Sequence, residues 1–538
     1  MRYLALILAA LVPTPAFAQP VRPPKLIVAI SVDQFSSDLF DEYRGQFRGG
    51  FARLARGSVF RNGYQGHNAT ETCPGHSTIL TGARPSRTGI IANSWFDLKA
   101  ARSDKAVYCA EDEGAPGSSS RDYRVSPIHL KVPTLGELMK RATPASRSVA
   151  VAGKDRAAVM MSGQRPNQRW YWDGKKYATD LVDVRVPASV MAANRAAAAL
   201  VGAPRAPLDP TPFCAGKARP VAVGNGALSV GDGRFARSAG DLSGFRASPA
   251  FDGMTLALAA RLIDELQLGK GTAADLIAVG LSATDYVGHS FGTEGEEMCL
   301  QLTSLDRDLG DFLALLDSRG LDYAVVLTAD HGGHDIPERL RLAGVPGAAR
   351  TDASLEPAAI GKTIAAVLRL SGPVLIGGGA AGDVYLDRAL SPADARRARA
   401  GAVASYRAHP QVEAVFTRDE LSRTPPPTGS PDRWTLRQRA RASFDAVRSG
   451  DLLVMLKRDV VPIAVPAKGY VATHGSPWDY DRRVPIIFWR NGQSPMADDR
   501  AVETVDIMPT LAASIGLAVN RVSIDGHCLP GATAARCP

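Results

Sequence analysis

Leu26-Ile27-Val28-Ala29-Ile30-Ser31-Val32-Asp33 is an almost unbroken apolar run that ends on an acid. A strand with one wet face alternates polar and apolar residues, whereas one buried on both faces reads as this run does. Four more runs share the pattern: Ser148 to Gly153, Leu276 to Ser282, Ala324 to Asp330 and Val484 to Trp489. Helical signals lie between them. Met298, Leu302, Leu305, Leu309, Phe312 and Leu316 mark one helix face, and Thr134-Leu135-Gly136-Glu137 is a capping box ahead of Leu138 and Met139. Buried strands alternating with helices specify an α/β/α sandwich with a largely parallel central sheet.

Two stretches break the rhythm and are read as insertions on this core: about 157–253, which holds Trp170-Tyr171-Trp172, and about 340–468, which holds Pro425-Pro426-Pro427. At the N-terminus, Arg2, the short apolar run Tyr3 to Val12 and Ala16-Phe17-Ala18 form a signal peptide over 1–18, leaving Gln19 first in a single catalytic domain over 19–538. That run falls short of the roughly 20 residues that cross a bilayer, and no Cys follows it for lipidation, so a periplasmic or secreted protein without a membrane anchor is expected. Six cysteines suit disulfides in such a compartment. Cys528 with Cys537 closes a short loop; Cys73 with Cys109 and Cys214 with Cys299 follow by elimination. The net charge of +9 is modest for 538 residues, and no Lys/Arg run interleaves with aromatics, so specific nucleic-acid binding is not expected. The densest basic patch, Arg433, Arg437, Arg439, Arg441 and Arg448, reads as a solvated helix face.

Ligands of open α/β sheets gather beyond the carboxyl ends of the strands. Three strands here lead into an acid: Asp33, Asp285 with His289 four residues on, and Asp330 with His331 beside it. One acid after a strand is ordinarily a cap or turn former. Three, two of them with a nearby imidazole, make a donor set of the kind that holds zinc. Thr72-Cys73-Pro74-Gly75-His76 reads as a loop entering a helix, Pro74 suiting the first turn. The Thr72 hydroxyl then either caps that helix or sits where backbone donors and the dipole favour an anion.

With Thr72-Cys73-Pro74-Gly75-His76, Gly89-Ile90-Ile91-Ala92-Asn93, Thr284-Asp285-Tyr286-Val287-Gly288-His289, Ala329-Asp330-His331-Gly332, His474-Gly475-Ser476 and Val505-Asp506-Ile507-Met508-Pro509-Thr510-Leu511 in this order, the sequence resembles the alkaline phosphatase superfamily. The similarity is to the bacterial branch with a threonine nucleophile, related to nucleotide pyrophosphatase/phosphodiesterases. The resemblance implies two zinc ions per chain: one on Asp285, His289 and His474, the other on Asp33, Asp330 and His331 and binding the Thr72 oxygen. It makes Thr72 a nucleophile that becomes phosphorylated, and Asn93, with the Thr72 backbone N–H, a holder of a phosphoryl oxygen. His76 and His334 match no ligand and are read as structural. No third, magnesium site is assigned.

Ala152-Gly153-Lys154-Asp155-Arg156 follows the second of the five strands. A phosphate monoester carries an anionic oxygen that a diester lacks, and Lys154 and Arg156 offer cations to it. The resembling monoesterases place such a pair here. Small-molecule phosphate monoesters are therefore the expected substrates, with a phosphodiesterase or nucleotide pyrophosphatase of the same fold as the alternative. A sulfatase is disfavoured because no C-x-P-x-R run occurs. A non-catalytic zinc- or phosphate-binding protein leaves the Thr72 hydroxyl without a use.

Overall fold

The computed structural model describes residues 22–538; the expected signal peptide over 1–18 lies outside them. The central sheet has ten strands: β1 Leu26–Val32, β2 Ser58–Tyr64, β3 Ser148–Ala152, β4 Gln168–Trp172, β5 Tyr177–Ala178, β6 Asp275–Leu281, β7 Tyr323–Thr328, β8 Arg483–Arg490, β9 Met496–Asp498 and β10 Val502–Glu503. Their order is β9-β2-β8-β7-β1-β6-β3-β4-β5, with β10 also on β2. Strands β7, β1, β6, β3 and β4 are consecutive and parallel, while β8 runs antiparallel between β7 and β2. The five runs read as buried strands all lie in this sheet.

β1 shows why its sequence does not alternate. Leu26, Val28, Ile30 and Val32 enter the core on one face, and Ile27 and Ala29 enter the core on the other. The helices that cover these faces include α1 Thr72–Ile79, α2 Leu135–Ala142, α3 Asp155–Ser162, α4 Pro249–Glu265, α5 Ala283–Phe291 and α6 Glu296–Ser318. The six apolar positions read along Met298 to Leu316 are buried on α6. The capping box of α2 is formed, Glu137 Oε2 accepting the Thr134 backbone N–H at 2.9 Å.

The run taken as an insertion from about residue 157 begins inside the core. Ala157 lies in α3, and Trp170-Tyr171-Trp172 belongs to β4, in parallel register with Val149 to Ala152. Arg169 disguised this strand. It is fully buried, its guanidinium paired with Asp180 and bonded to the Gly163 carbonyl at 2.6 Å. The material peripheral to the sheet begins after β5. Within 340–468 a separate antiparallel sheet forms, Leu375–Gly377 beside Gly382–Leu386, then Leu452–Leu456, then Val412–Thr417. It has its own core, including Leu355, Ile364, Val384, Tyr406 and Val454.

All three disulfides form as expected: Cys73–Cys109, Cys214–Cys299 and Cys528–Cys537. The arginine patch is not a solvated face. Arg433 and Arg437 are exposed, but Arg439 is buried on the Trp434 and Pro477 carbonyls, Arg441 donates to Thr424 O, and Arg448 to Gly89 O at 2.6 Å. These side chains join segments that would otherwise leave carbonyls unpaired. Among the described residues no helix is long and apolar enough to cross a membrane.

Candidate metal centre and phosphate site

The parallel strands β7, β1, β6 and β3 are neighbours, so the residues just past their carboxyl ends converge. Asp330 and His331 follow β7, Asp33 follows β1, Asp285 sits in the first turn of α5 after β6, and Lys154 follows β3. His289 lies one turn beyond Asp285, and His474 arrives from the segment before β8.

These groups form two sets of potential metal donors, Asp33 with Asp330 and His331, and Asp285 with His331 and His474. His289 adds to the second set, its Nε2 lying 3.3 Å from Asp285 Oδ1; His474 Nε2 is 3.4 Å from the same oxygen. His331 Nε2 is 3.4 Å from Asp33 Oδ1 and 3.3 Å from Asp330 Oδ2. Bonds of about 2.0–2.1 Å to a tetrahedral zinc give ligand-to-ligand edges of about 3.3–3.4 Å. The spacing therefore suits that ion.

Hydrogen bonding points the same way. His289, His331 and His474 each donate Nδ1–H to a carbonyl, of Ala472, Gly332 and Thr70 respectively, all at 2.8 Å. A carbonyl only accepts, so Nδ1 carries the proton and the Nε2 lone pair is turned inward, the arrangement that metal-binding histidines use. Among the described residues, Asp33 Oδ1, Asp285 Oδ1 and His331 Nε2 are buried without a hydrogen-bond partner. Buried polar atoms are rarely left so. Burial pushes His331 down to about 3, which keeps it neutral. Burial, then repulsion from Asp330, raises the Asp33 carboxyl well above its usual range. Three carboxylates face a single ammonium here, and further cations would relieve the imbalance.

That ammonium is Lys154. Its Nζ lies 2.7 Å from Asp33 Oδ2 and 2.5 Å from Asp285 Oδ2, so it spans the two donor sets and is not a solvent-facing loop cation. Burial alone would lower its pKa, but Asp285 and Asp33 outweigh that and raise it. Arg156 points elsewhere, with Nη2 at 3.4 Å from Thr72 Oγ1 and Nη1 at 3.4 Å from the Tyr108 hydroxyl.

Thr72 opens α1 and does not cap it. Glu71 holds the N-cap position, and neither residue makes a side-chain capping bond. Gly75 brings this helix hard against Asp330, since a Cβ on it would lie 2.0 Å from the Asp330 carbonyl oxygen. Asn93 comes close through its Oδ1, which accepts the Cys73 N–H at 2.8 Å and leaves the Nδ2 hydrogens free to donate. His76 is buried against Thr72 O at 2.9 Å and Asp330 Oδ2 at 3.0 Å, supporting both without joining the donor sets. His334 stands apart, its ring against Tyr480 and its Nε2 at 3.4 Å from Asp459.

Several supporting residues carry no local signal in the sequence. Asp252 on α4 accepts the Ala283 N–H at 2.9 Å, fixing the start of the helix that presents Asp285, and burial raises its carboxyl to about 7. Asp155 accepts the hydroxyls of Tyr108 and Tyr123 at 2.8 and 2.7 Å. Glu71 accepts the Asn93 N–H at 2.6 Å. A cleft of about 550 Å³ opens in front of the site, between Asn93, Arg156, His289 and His474 on one side and the peripheral sheet, with Tyr385 and Asp383, on the other.

The chain matches the type I phosphodiesterase / nucleotide pyrophosphatase family over residues 27–477. Alkaline phosphatase PhoK of Sphingomonas sp. is 56% identical over 510 residues, covering 94% of this chain and 91% of that protein. Alkaline phosphatase PhoD of Zymomonas mobilis is 49% identical over 509 residues, covering 94% and 88%. The crystal structure of wild-type alkaline phosphatase PafA superposes with a TM-score of 0.78 at 26% identity, covering 93% of this chain and 97% of that one. A PafA variant with a threonine, an asparagine, a lysine and an arginine replaced superposes equally well, at 0.79.

Proposed function

The chain belongs to the type I phosphodiesterase / nucleotide pyrophosphatase family and is an alkaline phosphatase, and from that premise we propose that it is an exported enzyme that hydrolyses small phosphate monoesters through a phosphothreonine on Thr72, with two zinc ions. The observation that carries this reading is the set of buried, inward-turned donors without a hydrogen-bond partner on Asp33, Asp285 and His331, with Asp330 among them, beside a threonine hydroxyl that caps nothing. PafA has been crystallised with four residue types altered that match, in chain order, Thr72, Asn93, Lys154 and Arg156.

Asp33, Asp330 and His331 would hold one zinc, and Asp285, His289 and His474 the other. Bound there, the ions supply positive charge that favours the ionised Thr72 hydroxyl and the departing ester oxygen. The protein's own part is positioning and charge neutralisation. Thr72 Oγ attacks phosphorus in line with the ester oxygen, which leaves with the alcohol into the cleft lined by Tyr385 and Tyr470. Asn93 Nδ2 and the N–H of Thr72 hold one phosphoryl oxygen. Arg156, already beside Thr72 Oγ1, offers its fork of donors to the other two, and Lys154 keeps Asp33 and Asp285 in place while adding its charge. Water then cleaves the phosphothreonine and releases inorganic phosphate, so two displacements retain configuration at phosphorus.

The direct test compares wild type with Thr72→Ala, both zinc-loaded and with metal content measured. Wild type should release phosphate from an aryl monoester and yield an acid-quenched peptide phosphorylated at Thr72, whereas the variant should do neither. Release that survives the substitution would refute covalent catalysis. A zinc-loaded wild type that releases none would make the chain a binding protein.

A further inference from the structure

We propose that Glu71 and the Cys73–Cys109 disulfide are positioning residues that aim the Asn93 amide at the phosphoryl group, an inference that rests on reading Asn93 as a phosphate ligand. Asn93 precedes a two-stranded hairpin, Ser94–Phe96 paired with Ala106–Tyr108. Three of its polar groups are held. Its N–H donates to Glu71 Oε2 at 2.6 Å, its carbonyl accepts the Cys109 N–H at 2.9 Å, and its Oδ1 accepts the Cys73 N–H at 2.8 Å. A carboxamide has an acceptor end and a donor end, and turning this one over would set its NH₂ against the Cys73 N–H. The clamp therefore fixes both where Asn93 sits and which end of its amide faces the cleft.

All three holds lead back to the nucleophile. Glu71 and Cys73 flank Thr72, and the disulfide joins Cys73 to Cys109, whose amide grips the Asn93 carbonyl. The path from Cys73 through Asn93 to Cys109 and back across the sulfurs is closed. Glu71 is unusual for its place, since N-cap positions favour Ser, Thr, Asp and Asn. It makes no capping bond and reaches 22 residues ahead to Asn93 instead. The hairpin has only three residue pairs, and two short strands alone are marginal in water, so the covalent tie supplies rigidity that the ladder lacks. Its far strand also carries Tyr108, whose hydroxyl meets Arg156 at 3.4 Å, so one small element places both side chains that face the phosphoryl oxygens.

A misplacement of about 1 Å costs about 10²-fold in rate. The test is a double-mutant cycle on the zinc-loaded enzyme, with metal content measured for every variant. Asn93→Ala should lower kcat/KM about 10²–10³-fold, the usual loss for one oxyanion-type donor. Glu71→Ala should cost about 10–10²-fold in the wild-type background and less than about threefold once Asn93 is already Ala, because partners in one network are not additive. Glu71→Gln keeps an acceptor and should retain most activity. Inhibition by inorganic phosphate should weaken with the same coupling. An equal Glu71→Ala loss in both backgrounds overturns the positioning role, whereas a harmless Asn93→Ala overturns the reading of Asn93 itself. For the disulfide, Cys73→Ser/Cys109→Ser should match Glu71→Ala in coupling to Asn93; unchanged kcat/KM removes the disulfide from the proposal. Should that variant not fold, the Glu71 cycle decides the matter alone.

Discussion

Replacing Arg156 by Ala separates monoester from diester chemistry more cleanly than replacing Lys154. Lys154 is bonded to Asp33 and Asp285, so its loss disturbs the metal donors whatever the substrate. Arg156 makes no ion pair with a carboxylate among the described residues and rests 3.4 Å from Thr72 Oγ1; on the proposed reading its fork of donors meets the phosphoryl group. A hydrogen bond to a charged group contributes about 1.5–3 kcal/mol. A fork meeting two anionic oxygens of a monoester contributes about 3–4 kcal/mol after partial non-additivity, and about half that with a diester, where one oxygen is capped. Arg156→Ala should then lower kcat/KM about 10²–10³-fold for an aryl phosphate and about 10–30-fold for its methyl diester, moving their ratio about tenfold or more. Both rates are measured on zinc-loaded enzyme of verified metal content. Equal losses for the two esters would refute the assignment of Arg156 to the extra anionic oxygen.

Two further expectations follow from packing and charge. Gly75→Ala should reduce phosphate release more than about 10²-fold, because its Cβ collides with backbone at Asp330 and must push Thr72 away; Gly45→Ala, with nothing within 4 Å, serves as the control and should be neutral. Asp506 is raised to about 7 by burial and then by Glu503, so the folded state keeps its proton where the unfolded chain has lost it. Its stabilising contribution is full below about pH 4 and disappears as pH rises through about 7. Asp506→Asn, which mimics the neutral acid, should flatten the fall of Tm between about pH 4 and 7, and parallel slopes would contradict this.

The parts legible in sequence were those specified by neighbours along the chain. Strands buried on both faces announce themselves as unalternating runs, and an acid just past such a run lands at the shared carboxyl edge wherever the strand goes in the sheet. That is why Asp33, Asp285 and Asp330 could be grouped before any geometry. β4 is hidden within the first insertion because a buried strand containing Arg169 looks polar until Asp180 is placed beside it. The arginines of 433–448 misled for the converse reason, as their carbonyl partners at Gly89, Thr424 and Pro477 are supplied by other segments. Glu71, Tyr108 and Asp252 have no motif at all. The Lys154 cation is legible in sequence, but its burial between two carboxylates depends on β3 lying next to β6, which strand order alone decides.

The bond from His474 Nδ1 to the Thr70 carbonyl joins residues 404 positions apart. It sets a schedule for the growing polypeptide. Thr72 emerges early, yet the His474 imidazole that completes the second donor set appears only after a further three-quarters of the chain has been made and the peripheral sheet threaded past. Contacts of such long range form late, after the entropy of closing the intervening loop has been met. On the proposed reading, a chain truncated before His474 carries an incomplete donor set, so activity has to wait for the C-terminal part of the fold.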